Sequence, residues 1–150
     1  MEQASFATAL NRHRIVGVDS MVFIYHVEAH PSYLPLTRAL FKHIETGKIK
    51  AVTSMLSLTE VLIQPYRKGR RDLAVFYRAL LTEYPHLEIR PLDLETAELA
   101  AAIRARYETS TPDGIQTATA MQQGATAFIT NDRRLARVKE LDIVLLDSYL

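Results

Sequence analysis

Ile15-Val16-Gly17-Val18-Asp19-Ser20 and Ala127-Phe128-Ile129-Thr130-Asn131-Asp132 decide how this chain reads. Each is a four-residue apolar run, rich in β-branched residues, that reads as a buried strand and ends at or just before an aspartate. Working outward, residues 50–53, 87–91 and 143–146 supply three further short strands. Helical spacing of apolar residues fills the gaps. It predicts a helix at 20–27 that is apolar nearly all round, one that starts between Pro31 and Pro35 and stops at Gly47, and one at 54–64 ended by Gln64 and Pro65. Further helices are expected at 72–84, 94–108, 112–123 (closed by Gly124) and 133–141, and residues 1–13 read as a leader or a short extra helix. Strand alternates with helix along most of the length. The expected fold is therefore α/β, a three-layer α/β/α domain around a central, mainly parallel sheet of about five strands.

With 150 residues, 48% of them hydrophobic, the chain is sized for a single domain over 1–150 with a sufficient core. It contains no cysteine, which excludes disulfides and thiolate metal sites and leaves oxygen ligands and five histidines for any metal. No apolar run approaches the roughly 20 residues of a membrane helix, and the N-terminus lacks the pattern of a signal peptide, so a cytoplasmic protein without a membrane partner is expected. A formal net charge of +1 gives no global field for nucleic acid. Any such affinity must come from local patches.

Four acids stand at the junctions: Asp19 and Asp132 after strands, Asp113 at a helix start, and Glu60 in an otherwise apolar helix. Taken singly, three of them also suit structural roles. Asp19 and Asp132 fit helix N-caps, and Asp113, after Thr111 as a cap and Pro112 as the first helical residue, complements a helix dipole. Glu60 is different. It falls beside Leu56 and Ile63 at the margin of the apolar face, with no Lys or Arg at i±3 or i±4, and Ser57 and Gln64 can bond it but not neutralise it. In an open parallel sheet, strand ends and helix starts meet along one edge, where ligands bind. Two like charges about 4 Å apart repel by roughly 4 kcal/mol at an effective dielectric of 20, so several acids on one edge call for a cation. An all-oxygen site suits Mg²⁺ or Mn²⁺.

The stretches VDS with Asp19, SLTEVL with Glu60, TPDGIQTATA with Asp113 and FITNDRRL with Asp132 resemble, in order and spacing, the acidic motifs of PIN-domain ribonucleases, most of all the VapC-type toxins of bacteria. The resemblance spans about residues 15–146. It implies a metal-dependent endoribonuclease in which Asp19, Glu60 and Asp113 are the core ligands of Mg²⁺ or Mn²⁺. Asp132 would be a fourth, acting through water, with Ser20, Thr130 and Asn131 in support. It also implies attack by metal-activated water on an RNA phosphodiester, leaving a 5′-phosphate and a 3′-hydroxyl. The third motif departs from its commonest form, in which Ala and His often stand at the places of Gly114 and Gln116. Neither change removes a ligand, and the expected effect is on substrate choice.

Two basic clusters, Arg67, Lys68, Arg70 and Arg71, and Arg133 and Arg134 with Arg137, are candidates to hold RNA phosphates beside the acids; solvated helix ends are the alternative for the first. The helices at 20–27 and 34–46 carry Met21, Val22, Phe23, Ile24, Tyr25, Tyr33, Leu36 and Phe41. Core packing accounts for most of that surface. The resemblance adds that part of it receives a VapB-like antitoxin segment, that the antitoxin inhibits by bringing Arg to the carboxylates, and that other helices form a homodimer. Two further readings stay open: a housekeeping RNA-processing nuclease of the same fold without antitoxin, and a catalytically silent RNA-binding module whose acids serve only as caps.

Overall fold

A computed structural model describes residues 2–150. Helix α1 (Glu2–Leu10) leads into strand β1 (Ile15–Val18), followed by α2 (Ser20–Val27), α3 (Leu34–Glu45), β2 (Lys50–Ser54), α4 (Met55–Arg67) and α5 (Arg71–Glu83). Then come β3 (Leu87–Arg90), α6 (Leu94–Tyr107), α7 (Thr111–Gln122), β4 (Ala127–Thr130), a 3₁₀ turn (Arg133–Arg137), β5 (Asp142–Leu145) and a last 3₁₀ turn (Leu146–Tyr149). The five strands form one sheet in the order β3-β2-β1-β4-β5, and every neighbouring pair is parallel.

Alternation along each strand builds the two layers. Val16 and Val18 of β1 and Ala127 and Ile129 of β4 face a core shared with α1 to α5. Phe128 and Val52 face the other way, against Ala100 and Ile103 of α6, Ala118 and Ala120 of α7, and Leu135 and Val138. Gly17 lets this second layer approach closely, because a Cβ there would lie 2.6 Å from both Ala120 Cβ and Phe128 Cδ1. Gly114 has a related reason, since its Cβ would stand 3.0 Å from the backbone carbonyl oxygen of Ala100. The helix-propensity cost of a glycine in α7 is thus offset by the close packing of α7 on α6.

Three expectations shift. Helix α4 runs through Pro65 to Arg67 instead of ending at it: the ring removes one amide donor, yet Lys68 N still closes on Gln64 O at 3.0 Å. The helix expected at 133–141 is a five-residue 3₁₀ turn, after which Val138 is extended. Leu135, Val138 and Leu141, all buried, are spaced by three, a period that a tight turn and a loop satisfy as well as an α-helix does. The cap of α7 is Ser110, whose hydroxyl accepts from Asp113 N, so that Thr111 and Pro112 both lie inside the first turn.

Candidate active site

Strand β1 is the switch point of the sheet. Its connection to β2 runs to one side while β4 pairs on the other, and the crevice beyond the strand ends at such a point is where open α/β sheets bind ligands. Val18 pairs with Ile129, so Asp19 and Thr130 emerge side by side. Asp19 is at once a cap and a site residue. Its Oδ1 accepts from Ser20 N at 2.9 Å, opening α2, while its Oδ2 accepts from Thr130 Oγ1 at 2.6 Å. Only 5% of Asp19 is exposed, and Ser20 beside it is also buried. Burial pushes its carboxyl up to about 6, partly opposed by the bonds from Thr130 and Ser20 and reinforced by the negative charges of Asp113 and Glu60.

Asp113, in the first turn of α7, is likewise held above the usual carboxylate range, first by burial and then by the charge of Asp132, with Arg134 acting against the shift. Asp132 caps the 3₁₀ turn through Arg134 N and receives Arg134 Nε at 3.0 Å and Nη2 at 2.8 Å on its two oxygens. That guanidinium holds Asp132 below its ordinary range. Thr130 joins the first acid to the fourth, because its hydroxyl donates to Asp19 and accepts from Asp132 N at 3.1 Å. Asn131 turns elsewhere: its Oδ1 accepts from Asp147 N and its Nδ2 reaches Tyr25 Oη, so its side chain ties the C-terminal turn and α2 rather than bonding Asp132.

Glu60 sits half-buried on α4, and Gln116 Nε2 of α7 donates to its Oε1 at 3.3 Å. The same nitrogen donates to Ser57 Oγ at 2.8 Å, Ser57 contacts Thr53 Oγ1 at 2.6 Å, and Thr53 donates to Val18 O at 2.8 Å. Sequence reasoning missed this network. Gln116 was visible only as a departure within the third motif, and its contact with Ser57 crosses 59 positions.

The four acids are therefore electrostatic neighbours, Asp19 with Glu60 and Asp113, and Asp113 with Asp132. Among the described residues, no three Asp, Glu or His side chains are drawn together closely enough to hold a metal ion as they stand. The donor set still fits a hard divalent cation. It consists of oxygens, and its deepest member carries a charge that burial and two like charges oppose and no cation among its neighbours offsets.

Basic residues lie at both ends of the acidic row. A recess beside Glu60 is lined by Gln64, Lys68 and Arg70, and a narrow cleft brings Asp113 against Arg134 and Arg137. Arg67, Lys68, Arg71 and Arg133 are exposed, whereas Arg70 is engaged with Asp72. A recess of about 670 Å³ along α6 and the start of α7 has none of the four acids in its lining.

The fold is a parallel α/β domain with acidic residues neighbouring one another at its switch point. The chain belongs to the PIN-domain family, whose model matches residues 16–141; PIN domains are nucleases. Solved structures share the fold at low identity. A toxin–antitoxin complex from Klebsiella pneumoniae aligns at 18% identity and a TM-score of 0.67, covering 87% of this chain and 97% of that one. FitAcB from Neisseria gonorrhoeae aligns at 17% identity and 0.66, covering 87% and 97%. VapBC2 from Rickettsia felis, bound to a DNA fragment from its promoter, aligns at 18% and 0.65, covering 86% and 96%. No curated protein matches the chain by sequence.

Proposed function

We propose that this protein is a divalent-metal-dependent endoribonuclease and the toxin of a toxin–antitoxin pair. One observation carries the nuclease reading: Asp19, nearly inaccessible and fixed by Thr130 at the switch point, faces the charges of Glu60 and Asp113. Such an arrangement stabilises little by itself and makes sense as a seat for Mg²⁺ or Mn²⁺. Asp19, Glu60 and Asp113 would hold the ion, with Asp132 a fourth acid acting through water. When bound, the ion supplies water activation and neutralises charge on the phosphate oxygens.

The chain's own groups do the rest. Thr130 keeps a proton on its hydroxyl directed at Asp19, so that carboxylate presents a fixed face. Ser20 and the first turn of α2 hold its other oxygen. Lys68 and Arg70 beyond Glu60, and Arg134 and Arg137 beyond Asp113, would receive backbone phosphates on either side of the cut. Arg134 would exchange its carboxylate for a phosphate, a swap of one bidentate anion for another.

Support for an antitoxin of the VapB type comes from the aligned structures, which include a toxin–antitoxin complex from Klebsiella pneumoniae and VapBC2 from Rickettsia felis. The apolar side chains of α2 and α3 expected to receive it are mostly interior: Val22, Phe23, Leu36 and Phe41 are buried, while Met21, Ile24, Tyr25 and Tyr33 pack half-buried against the core. Exposed apolar side chains lie instead on α4 and α5, at Ile63, Tyr66, Val75 and Phe76, and beside α6, at Leu92 and Leu94. These surfaces are the places for a homodimer contact or an antitoxin segment.

The test is cleavage of a mixed RNA pool by the purified chain with Mg²⁺, with Mn²⁺ and with chelator, beside Asp19→Asn. Cutting that needs metal, is lost in the variant and leaves 5′-phosphates is expected; 2′,3′-cyclic phosphate ends would sink the hydrolytic mechanism. Growth arrest on expression, relieved by the neighbouring gene's product, separates a toxin from a housekeeping nuclease.

A further inference from the structure

Gln116 is 3% exposed, and its amide is oriented by a chain of hydroxyls that leaves no alternative. Thr53 spends its one proton on Val18 O, so at the contact between Thr53 and Ser57 the proton must come from Ser57. Ser57 is then only an acceptor towards Gln116, and the atom facing it must be the amide nitrogen. The second proton on that nitrogen is the one that meets Glu60. Rotating the amide by half a turn would set its oxygen against the Glu60 carboxylate and strand Ser57 without a donor. Thr53 and Ser57 are 2% and 0% exposed, so water cannot substitute along the way.

The orientation has a drawback that a mere filler would avoid. Gln116 Oε1 is buried with no hydrogen-bond partner among the described residues. A methionine or leucine would occupy the same space without an unsatisfied acceptor. The amide's contribution is therefore its two N–H groups. They link the backbone of the residue before Asp19 to the carboxylate of Glu60.

We infer that Gln116 is the positioning residue of the site: through Thr53 and Ser57 it fixes the Glu60 carboxylate relative to Asp19 and so presets the seat for a divalent cation. This inference rests on the metal-dependent reading above. Outer partners of metal-holding carboxylates set their orientation, and removing one costs on the order of tenfold or more in metal affinity.

Calorimetric titration of the full chain with Mn²⁺, paired with thermal melting in metal-free buffer, tests it on the wild type, Gln116→Met and Ser57→Ala. Gln116→Met keeps the volume and removes both donors, and should weaken Mn²⁺ binding about tenfold while melting no lower than the wild type. Ser57→Ala, which does not touch Glu60 through its side chain, should weaken binding in the same direction because it unlocks the amide. Wild-type affinity in Gln116→Met overturns the inference and leaves the carboxylate site standing. Should Gln116→Met fail to fold, Ser57→Ala decides, with unchanged affinity overturning the inference. A wild-type protein without affinity for Mn²⁺ overturns the carboxylate-site reading and this inference with it.

Discussion

Asp19 shows how a functional group can work against the stability of its own fold. Its carboxyl titrates near 6 in the folded chain against 3.8 in a model peptide. Between those values the folded state keeps a proton that the unfolded state has released, so stability falls as pH rises through that window and stays lower above it. In metal-free buffer Asp19→Asn should melt higher than the wild type near neutral pH, by on the order of 3 kcal/mol. The gain should vanish at about pH 4, below which both states of the wild type hold the proton. Melting curves across that range check it, and a variant no more stable than the wild type at neutral pH would contradict the assignment. Mn²⁺ should then raise the melting point of the wild type and not of the variant. Thr130 makes the complementary case. Thr130→Val keeps the shape but removes a donor to Asp19 and an acceptor for Asp132 N in a fully buried position, and about 1–3 kcal/mol should be lost in denaturant unfolding. The acids were legible because each starts, ends or interrupts a local pattern. Gln116 was not, since nothing in its own helix distinguishes a glutamine that meets α4 from one that meets solvent.

At the scale of elements, the positions where reading and structure part company share a cause. Local sequence specifies periodicity well and the point of termination poorly. Pro65 marks the weakening of α4 and not its end, because one missing donor is tolerated when the next turn still closes. Three buried side chains spaced by three look like a helix at 133–141 until the short span to β5 allows only a 3₁₀ turn. Gly17 belongs to the same scale, since what it permits is the approach of a whole helix. Gly17→Ala would drive a methyl group into Ala120 and Phe128 and should lower stability by about 1–3 kcal/mol, read from urea unfolding. Unchanged stability would mean that α7 can shift outward. Because α7 carries both Asp113 and Gln116, such a shift would be visible as weakened metal binding even where the fold survives.

For the whole molecule, the three-layer α/β class follows from short apolar strands with a helix after nearly every one, which is why the fold class could be read without coordinates. Strand order could not, because short apolar strands do not encode their neighbours. Activity is expected to follow the deepest acid. RNA cleavage under Mg²⁺ should decline as pH falls through about 6, when Asp19 takes up its proton and competes with the cation, and chelator should abolish it at any pH. A rate that is flat through that region would assign the limiting step elsewhere. The strand order has one more consequence. β1, near the beginning of the chain, sits in the middle of the sheet and must wait for β4 to close its second edge, and Thr130, which holds Asp19, is 111 positions downstream. On the ribosome, the nascent chain can pair β1 with β2 early but cannot assemble the cleft until its last fifth has emerged. The candidate site is thus left incomplete through most of the chain's own synthesis.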